Sequence, residues 1–485
     1  MNGNLLLIVP IIFPIIVGLF IERFEIKKIY KLAASTAIIN LLILIGIFLF
    51  NRGSLDLLSL SNILTIRLQV DSISIFFTIL VSLIWILVTF YSFEYMSHER
   101  NIERFYKFLT ISYGLIIGLG FAANMFTYYL FYEFMTLMTF PLVIHSRTEE
   151  SMRAGIKYLI YSFSGAAFVL IAIFYTYYTG IDVNFVAGGL LNPDNITTMS
   201  LVIYLMAFIG FGSKAGMYPL HAWLPSAHPV APAPASGILS GIVTKAGVLG
   251  IIRLTFYVYG ADVIRGTWTQ TTILILSMFT IFMGSMLAYR TTNLKERLAY
   301  SSVSQVSYIL FGIALLNNEG LIGGLSHMTF HAIIKNILFL GAGAIICQTG
   351  RTHTSQLKGI GKEMPITMWA FTLGSLALIG IPPLSGFISK WYLGIGGLGF
   401  INYSLGLAGL VTLIVSALLT GGYLIPIFVD AFFPGQDYEY NKLVNFEPGK
   451  LMTIPLIILT AAAVLLGIFP GFLVDFFRNI AGTII

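Results

Sequence analysis

The chain has 485 residues, of which 57% are hydrophobic and only 10% are charged, and its formal net charge is +6. A soluble domain carries about 25% charged residues, so this composition excludes a cytosolic enzyme, a nucleic-acid-binding protein and a disordered protein. The single cysteine, Cys347, excludes an intrachain disulfide bond and a cysteine-ligated metal or iron–sulfur site.

Apolar segments of the length that a membrane-spanning helix needs, about 20 residues, follow one another along the chain. There are fourteen, at residues 4–21, 30–50, 70–92, 107–123, 126–145, 154–178, 199–220, 236–259, 271–289, 300–316, 322–347, 366–397, 403–430 and 453–476. The first lacks a basic leading region and a small-residue cleavage site, which argues against a cleaved signal peptide. We therefore predict an all-α polytopic membrane protein with about 14 transmembrane helices.

The basic residues outside these segments divide unequally between alternate loops. Loops after odd-numbered spans hold eighteen of them, among them Lys295, Arg297 and Lys442, whereas the other loops and the C-terminal tail hold only Arg52, Arg67, Arg265 and Arg478. Because cytoplasmic loops are enriched in Lys and Arg, we predict a multi-pass protein of the plasma (inner) membrane with both termini outside.

Several ionisable residues remain inside the predicted spans, and they are Glu133, Lys214, Lys245, Arg253, His327, His331, Lys335 and Lys390. A charge at the centre of a spanning helix costs about 2.5–3.5 kcal/mol even on the mildest insertion scale. Because folding does not require four lysines inside the membrane, Lys214, Lys245, Lys335 and Lys390 indicate a function there.

Glu133 lies in the middle of the fifth span and Lys214 lies deep in the seventh. A carboxylate close to a lysine favours the ammonium form, and its removal lets burial favour the neutral amine. Glycines and Pro219 next to Lys214 predict a broken helix, the feature at which transporters place ion sites. The alternatives are a structural ion pair or protonated core acid for Glu133, and a lysine that extends to the interface for Lys214.

The segment Pro219–Pro234 is dense in proline and cannot form one continuous helix. His221 and His228 lie there without Lys or Arg beside them, so they are candidate proton-relay groups at a cytoplasmic entrance. Histidines hydrogen-bonded to frayed backbone are the alternative. No metal site is predicted, because two ligands without the usual spacing do not make one.

Lys245 lies in the middle of the eighth span, and Arg253 follows it by eight residues. Lys245 is a relay candidate, whereas Arg253 cannot release its proton at working pH and is predicted to be structural or electrostatic.

In the eleventh span His327, His331 and Lys335 recur every four residues, which stacks them on one helical face. Such a stack indicates a hydrated proton path more than zinc, which would need a third ligand.

Lys390 follows Pro382 and Pro383, which break the twelfth span. The seventh and twelfth spans are five apart, as expected for two inverted five-helix repeats of spans 4–8 and 9–13. Lys214 and Lys390 would then be equivalent sites in the two halves. The predicted division is residues 1–106 for helices 1–3, 107–260 for the first repeat, 261–430 for the second and 431–485 for helix 14.

Taken as a set, these runs resemble the antiporter-like membrane subunits of Mrp-type cation/proton antiporters (the D type), membrane-bound hydrogenases and respiratory complex I. The resemblance covers spans 3–13 and rests on the runs around Glu133, Lys214–Pro234, Lys245, Leu294–Ser302, His327–Lys335 and Gly380–Lys390. The chain ends soon after span 14 and carries Lys390 where one complex I subunit carries a glutamate. Both features favour an Mrp D-like or hydrogenase-type subunit.

The resemblance implies that Glu133 pairs with Lys214, that Lys245 connects the halves and that Lys390 is the exit-side lysine. It also implies partner subunits, namely homologous antiporter-like and small membrane subunits, with hydrogenase or iron–sulfur subunits in a redox-driven complex. The driving force would be redox chemistry or a sodium gradient in those subunits, and this chain would hold no cofactor. We expect a proton to pass from Lys214 through Lys245 to His331, His327 and Lys335, then to Lys390.

Three other functions remain open at this point. A self-contained secondary transporter for a small solute would need a polar pocket at the midplane. A quinone- or haem-associated redox subunit would need axial ligands on facing helices, whereas His327 and His331 share one face. A structural scaffold would leave the buried lysines unexplained.

Overall fold

A computed structural model describes residues 3–50, 53–59, 64–180, 184–193, 196–435 and 446–485 of the chain. Arg52 and Lys442, which contribute to the predicted topology, lie outside the described residues. The described chain is almost entirely helical, and ten of its helices are long and apolar enough to cross a membrane. The predicted all-α membrane fold is confirmed.

The N-terminal half contains helices over every predicted span. After a short 3-10 turn these are α1 (Val9–Phe20), α2 (Ile26–Phe50), α3 (Ser72–Tyr95), α4 (Ile102–Phe121), α5 (Met125–Val143), α6 (Glu149–Tyr178), α7 (Thr198–Ala215), α8 (Trp223–Val230), α9 (Ala233–Ile238) and α10 (Thr244–Arg253). Polar caps start several of them, as when the Asp71 carboxylate accepts a hydrogen bond from the Ser74 amide at 2.8 Å at the start of α3.

The C-terminal half follows the same plan. It consists of α11 (Ala261–Ile264), α12 (Trp268–Arg290), α13 (Leu294–Ala314), α14 (Asn318–Thr349), α15 (Ile360–Glu363), α16 (Pro365–Ile379), α17 (Ser385–Leu398), α18 (Tyr403–Phe432), α19 (Lys450–Ile468) and α20 (Gly471–Ile484). Helices α4, α5 and α13, of 20, 19 and 21 residues, occupy three further predicted spans. The total of fourteen spans and the division into domains stay predictions.

A two-stranded hairpin between α2 and α3 is a departure from helix that the predicted spans do not foresee. Strand β1 (Ser54–Ser59) pairs antiparallel with β2 (Thr65–Gln69), and Asp56 faces Arg67 across the pair. Their side chains form an ion pair at 3.3 Å. Strand β2 alternates polar and apolar residues, the period of a strand with one exposed face, whereas β1 loses this alternation at Leu57 and Leu58, where the register shifts.

Both predicted helix breaks are present. Helix α7 ends at Gly216 and α16 at Gly380, and each glycine has a positive φ, 82° and 92°, which closes the helix in the left-handed conformation. Residues 217–222 and 381–384 then separate each helix from α8 and α17. The proline-dense segment is nevertheless partly helical, because α8 accommodates prolines in its first and last turns.

The eighth span, residues 233–259, is continuous but irregular. Two π-helical stretches, Leu239–Val243 and Leu254–Tyr259, flank α10 on either side. Such wide turns occur frequently at functional sites. The predicted last span is shorter than expected, because α19 ends at Ile468 and Pro470 precedes the separate amphipathic helix α20.

Lys295 and Arg297, counted among the loop charges, belong to the first turn of α13 and are buried. Lys295 donates to the carbonyl of Ala231 at 2.9 Å, and Arg297 donates to that of Tyr423 at 2.7 Å. These two basic residues therefore connect α13 to neighbouring elements instead of lying free in a loop.

Candidate functional site

The Lys214 ammonium lies in a cage of hydroxyl groups at the end of α7. It is fully buried and donates to Thr136 Oγ1 at 2.8 Å, Ser162 Oγ at 2.8 Å and Tyr158 OH at 3.1 Å. Its charge also lies 4.4 Å from the centre of the Tyr158 ring, a favourable cation–π distance. Three acceptors match the three N–H groups of an ammonium, so the cage satisfies the charged lysine.

Glu133 lies near this cage but outside direct contact with the lysine. Neither carboxylate oxygen of Glu133 lies within 4.0 Å of Lys214 Nζ, so the two residues form no ion pair. Glu133 Oε1 is buried without a hydrogen-bond partner among the described residues. Thr136, one turn further along α5, takes the place next to the ammonium. The expected pair is therefore separated in this conformation.

The two histidines expected at a cytoplasmic entrance differ in position. His221 is half-buried in the helix break and stacks on Tyr218 with ring centres 5.9 Å apart. His228 is fully buried and lies against Phe339 at 4.5 Å, and in the described structure neither of its ring nitrogens has a hydrogen-bond partner. His228 is therefore an internal group, because no part of it reaches the surface.

A polar cleft opens at the end of the molecule where α6 and α13 begin. It has a volume of about 360 Å³ and is lined by charged and hydroxyl side chains, including Glu150, Lys157, Ser226 and Glu296. Lys157 donates to Ser226 Oγ of α8 at 2.9 Å. This cleft provides a water-accessible opening near the first helix break, and the entrance role of His221 and His228 stays a prediction.

Lys245 and His331 are in direct contact. Lys245 Nζ lies 2.6 Å from His331 Nδ1 and donates to the carbonyl of Ser240 at 2.6 Å. Both side chains are fully buried. A buried amine hydrogen-bonded to an imidazole can pass a proton to it without any intermediate group. The close approach of α10 to α7 at Gly247, whose added Cβ would lie 2.5 Å from the carbonyl of Phe211, places this pair beside the Lys214 region.

His331 and His327 form a stack along α14. Their rings are 5.9 Å apart and inclined by 21°, as expected for residues four apart on a helix. His327 Nδ1 lies 2.9 Å from Ser389 Oγ of α17, and its ring stacks on Tyr308 at 5.2 Å. His327 is thus the histidine nearest to the second broken helix.

Lys335 does not lie between His327 and Lys390, contrary to the predicted order. Its ammonium donates to Ser301 Oγ and to the carbonyl of Leu298 at 2.9 Å, both on α13. Since Lys335 and His327 are eight residues apart, the helix separates them by about 12 Å. Stacking on one face determines their order along α14, and α17 approaches the end that carries His327, at Gly320 and Gly323.

Lys390 donates to the carbonyls of Leu378 at 2.8 Å and Ile379 at 2.7 Å, the last residues of α16. It lies ten residues beyond Gly380, whereas Lys214 lies two residues before Gly216. The two lysines therefore occupy opposite sides of their breaks and are not equivalent in position. Lys390 nevertheless extends back to Leu378, which has the same offset from Gly380 as Lys214 has from Gly216.

Arg253 is anchored away from this line. It donates two hydrogen bonds to Asp71, one of them at 2.9 Å, and one to Ser74 Oγ at 3.1 Å. Its guanidinium lies 4.4 Å from the centre of the Tyr257 ring. These contacts agree with the predicted structural role, because they connect α10 to the start of α3.

Sequence reasoning missed the neutral polar groups of the site. The hydroxyls around Lys214 come from α5 and α6, and Ser301, Gln305 and Tyr308 form one polar face of α13. Gln305 is fully buried, and neither its amide nitrogen nor its oxygen has a partner among the described residues. A spacing of three or four residues on a polar face was the available signal. In the described part of the chain, no group of three or more His, Cys, Asp or Glu could hold a metal ion.

Comparison with known proteins identifies the family. Residues 122–416 match the family described as "NADH:quinone oxidoreductase/Mrp antiporter, TM", and residues 59–106 match "NADH-Ubiquinone oxidoreductase (complex I), chain 5 N-terminus". The chain belongs to this NADH:quinone oxidoreductase/Mrp antiporter family. The resemblance expected from the motifs is confirmed.

Two curated relatives show how evenly this family member resembles different branches. It is 29% identical to the D-type subunit of the Na(+)/H(+) antiporter of Alkalihalophilus pseudofirmus over 475 residues, 96% of this chain and 94% of the relative. It is 30% identical to the N-type subunit of the NADH-quinone oxidoreductase of Desulforudis audaxviator over 419 residues, 83% of this chain and 82% of the relative. A chain in the structure of the Mrp complex from Dietzia sp. DQ12-45-1b shares its fold, with a TM-score of 0.86, 20% identity and coverage of 100% and 98%.

Proposed function

We propose that the chain is the proton-translocating subunit of a multisubunit ion-pumping complex of the plasma membrane, an Mrp-type Na⁺/H⁺ antiporter or a hydrogenase- or complex I-like assembly. The observation that carries the proposal is the 2.6 Å contact between Lys245 Nζ and His331 Nδ1, at the centre of a line of buried ionisable groups. Paired titratable groups in a membrane interior are the usual components of a proton path.

In the proposed path the proton enters through the polar cleft and rests on Lys214, whose cage of hydroxyl groups holds an ammonium. Approach of Glu133 would stabilise that charge, and the separated arrangement favours release of the proton. The proton passes to Lys245, then to His331 and His327, and leaves through Lys390. Water is required between Lys214 and Lys245, since the described hydrogen bonds do not join them directly.

Lys335 and His228 form a side branch in this scheme. Both lie beside Phe339, with Lys335 Nζ 5.9 Å and the His228 ring 4.5 Å from the centre of its ring. We propose that they exchange protons near the C-terminal part of α14, on the opposite side of His331 from Lys390. The scheme requires no cofactor in this chain. The direction of proton transport follows the driving force.

The partners proposed are homologous antiporter-like subunits and small membrane subunits, because one solved structure that the chain resembles is that of an Mrp complex. The driving force would come from a sodium gradient or from redox chemistry in sibling subunits. The excess of basic residues in odd-numbered loops supports placing both termini outside.

Substitution of the first relay pair tests the proposal. In the intact complex, expressed with its partner subunits, Lys214→Ala and Glu133→Ala should each abolish proton transport in everted membrane vesicles while the complex still assembles. Lys450→Ala, which removes an exposed lysine at the start of α19, should transport normally. Normal transport by assembled Lys214→Ala would exclude the relay.

A solute transporter is less well supported by the cavities of the described chain. Two cavities of about 510 and 600 Å³ lie between α3, α14, α19 and α20, and between α16 and α19. Apolar side chains line both almost completely, so neither offers the polar groups that orient a small solute. Haem binding also has no support from His327 and His331, whose rings are stacked on one helix.

A further inference from the structure

The proton path changes helix between His327 on α14 and Lys390 on α17. These helices run in opposite directions and approach each other at glycines: a Cβ added at Gly323 would lie 2.7 Å from the amide of Leu393, and one at Gly396 2.5 Å from that of Gly320. One turn from the Gly323 contact, His327 and Ser389 face each other. Close backbone packing therefore places these two side chains in contact.

The contact between His327 and Ser389 is buried and specific. His327 Nδ1 lies 2.9 Å from Ser389 Oγ, and Ser389 Oγ donates to the carbonyl of Gly386 at 3.1 Å. His327 is 2% exposed and Ser389 is fully buried. Since a hydroxyl has one proton, which here is directed to Gly386, its oxygen is left to accept an Nδ1–H of His327.

Tyr308 contacts both His327 and Lys390. Its ring stacks on the imidazole at 5.2 Å with an inclination of 15°, and Lys390 Nζ lies 5.2 Å from the centre of the same ring. The phenol donates to the carbonyl of Leu413 at 3.0 Å, which fixes the ring and engages its proton. Tyr308 therefore packs its ring against both basic groups without offering them a free hydroxyl.

Lys390 is arranged to accept a proton. Two of its N–H groups donate to the carbonyls of Leu378 and Ile379, which a neutral amine can satisfy while it keeps its lone pair. Protonation adds a third N–H on the side of the Tyr308 ring, whose π face attracts a cation. The site accommodates both states of the lysine without rearrangement of α16.

We propose that Ser389 is the hydroxyl through which a proton passes from His327 to Lys390, and that the ring of Tyr308 closes other paths between them. The inference rests on the proposed function. The Nδ1–H bond of the His327 imidazolium breaks as a new bond to Ser389 Oγ forms. The hydroxyl's original proton leaves its hydrogen bond to the Gly386 carbonyl and passes through water to the Lys390 amine, since the described hydrogen bonds do not join Ser389 Oγ to Lys390 Nζ. One positive charge moves, and Ser389 is regenerated.

Hydroxyl removal and retention at residue 389 test this relay. In vesicles that contain the intact complex, Ser389→Ala should slow proton transport at least about tenfold, in the range of a lost acid–base group. Ser389→Thr, which keeps the hydroxyl, should retain at least half of the rate. Ser277→Ala removes another fully buried serine, on α12, and should have no effect. Assembly of each variant is measured by co-purification of the partner subunits.

A second substitution separates relay from packing. Tyr308→Leu removes the ring, so water can bridge His327 and Lys390, and the double variant Tyr308→Leu/Ser389→Ala should transport faster than Ser389→Ala alone. A structural role for Ser389 would give the opposite order, because a second core substitution adds damage. A double variant no faster than Ser389→Ala overturns the role of Tyr308.

The outcomes also separate this inference from the proposed function. If Lys390→Met abolishes transport while Ser389→Ala stays within twofold of the parent, the hydroxyl relay is wrong and the proton path stands. Equal losses in Ser389→Ala and Ser389→Thr likewise overturn the relay, since they indicate a packing requirement. Normal transport by an assembled Lys390→Met variant would remove the proposed path itself.

Discussion

Each buried lysine of the relay has its own set of neutral acceptors. Lys214 has hydroxyls from α5 and α6, Lys245 has the Ser240 carbonyl and His331, and Lys390 has two carbonyls at a helix end. A buried charge is tolerated only when it is hydrogen-bonded. The acceptors therefore determine where along the path a proton can rest, and the ionisable residues alone do not.

Removal of one cage hydroxyl should slow the relay. Thr136→Val keeps the shape of the side chain but leaves the Lys214 ammonium without one acceptor, and a hydrogen bond to a charged group contributes about 1.5–3 kcal/mol. We expect proton transport to fall by about tenfold or more in vesicles. Thr89→Val, at a buried threonine of α3 that bonds only its own helix at 2.7 Å, is the matched control. Equal rates in the two variants would contradict a role for the cage.

At this scale the sequence predicted charged residues far better than their partners. Lys214, Lys245 and His331 stand out because charges are rare in apolar helices, whereas Thr136 and Ser389 resemble any small polar residue of a membrane helix. The order of His327 and Lys335 relative to Lys390 was also wrong, because it depends on which turn of α14 contacts α17. That contact is set by glycines whose significance appears only when both helices are in place.

Helices in this molecule approach closely where glycine replaces a side chain. Gly247 of α10 faces the backbone of α7 near Lys214, and Gly323 of α14 faces that of α17 near Ser389. Packing of small residues is the main source of helix association in membranes, where lipid removes the hydrophobic driving force. These two close contacts lie beside two of the three proposed transfers between helices, so packing and conduction depend on the same positions there.

A methyl group at residue 247 should disrupt this packing. The added Cβ of Gly247→Ala would lie 2.5 Å from the Phe211 carbonyl oxygen and 2.8 Å from the Ala215 amide nitrogen, both of them backbone atoms that cannot rotate away. Overpacking of this kind costs about 1–3 kcal/mol, so we expect a lower midpoint of thermal unfolding for the purified complex and slower transport. Gly46→Ala, where nothing lies within 4 Å, should change neither, and an unchanged midpoint for Gly247→Ala would contradict the close approach.

The two helix breaks were predictable from glycine and proline residues, whereas the π-helical stretches and the hairpin were not. Glycine and proline together predicted both interruptions because each removes helical hydrogen bonds or favours a positive φ. The π-helical stretches around α10 have no such residues in common and were not predicted. The hairpin before α3 was missed because its strands are short and lie between two long apolar segments that dominated the interpretation.

The whole molecule is a membrane protein whose charges fall into two groups with different surroundings. Basic residues in alternate loops are the basis of the predicted topology, and a second set inside the helices forms the proposed path. Lys295 and Arg297 belong to the first group, although they are buried and hydrogen-bonded in the first turn of α13. Length and composition were enough to predict a helical membrane protein, because they depend on the bilayer and not on packing detail, whereas the side on which the termini lie stays a prediction.

Reporter fusions test the predicted topology of the entire chain. A reporter active only outside the membrane should be active when fused after Ile485, whereas a reporter that requires the cytoplasm should be active when fused after Arg351, in the loop that follows α14. The expectation follows from the excess of Lys and Arg in odd-numbered loops. Reversed activities would require inversion of the path, with its cleft outside, and an ambiguous result at Ile485 alone would point to an error in the number of spans.

The exposure of the relay residues has a consequence for chemical access from the lipid. Lys214, Lys245, His331 and Lys335 are fully enclosed by protein, whereas Glu133 and Lys390 are each only partly buried. Glu133 has the lipid-facing side chains of Phe134 and Leu137 beside it, 49% and 41% exposed. Of these six residues, only Glu133 and Lys390 therefore present any surface to a reagent dissolved in the bilayer, and the other four are insulated from it.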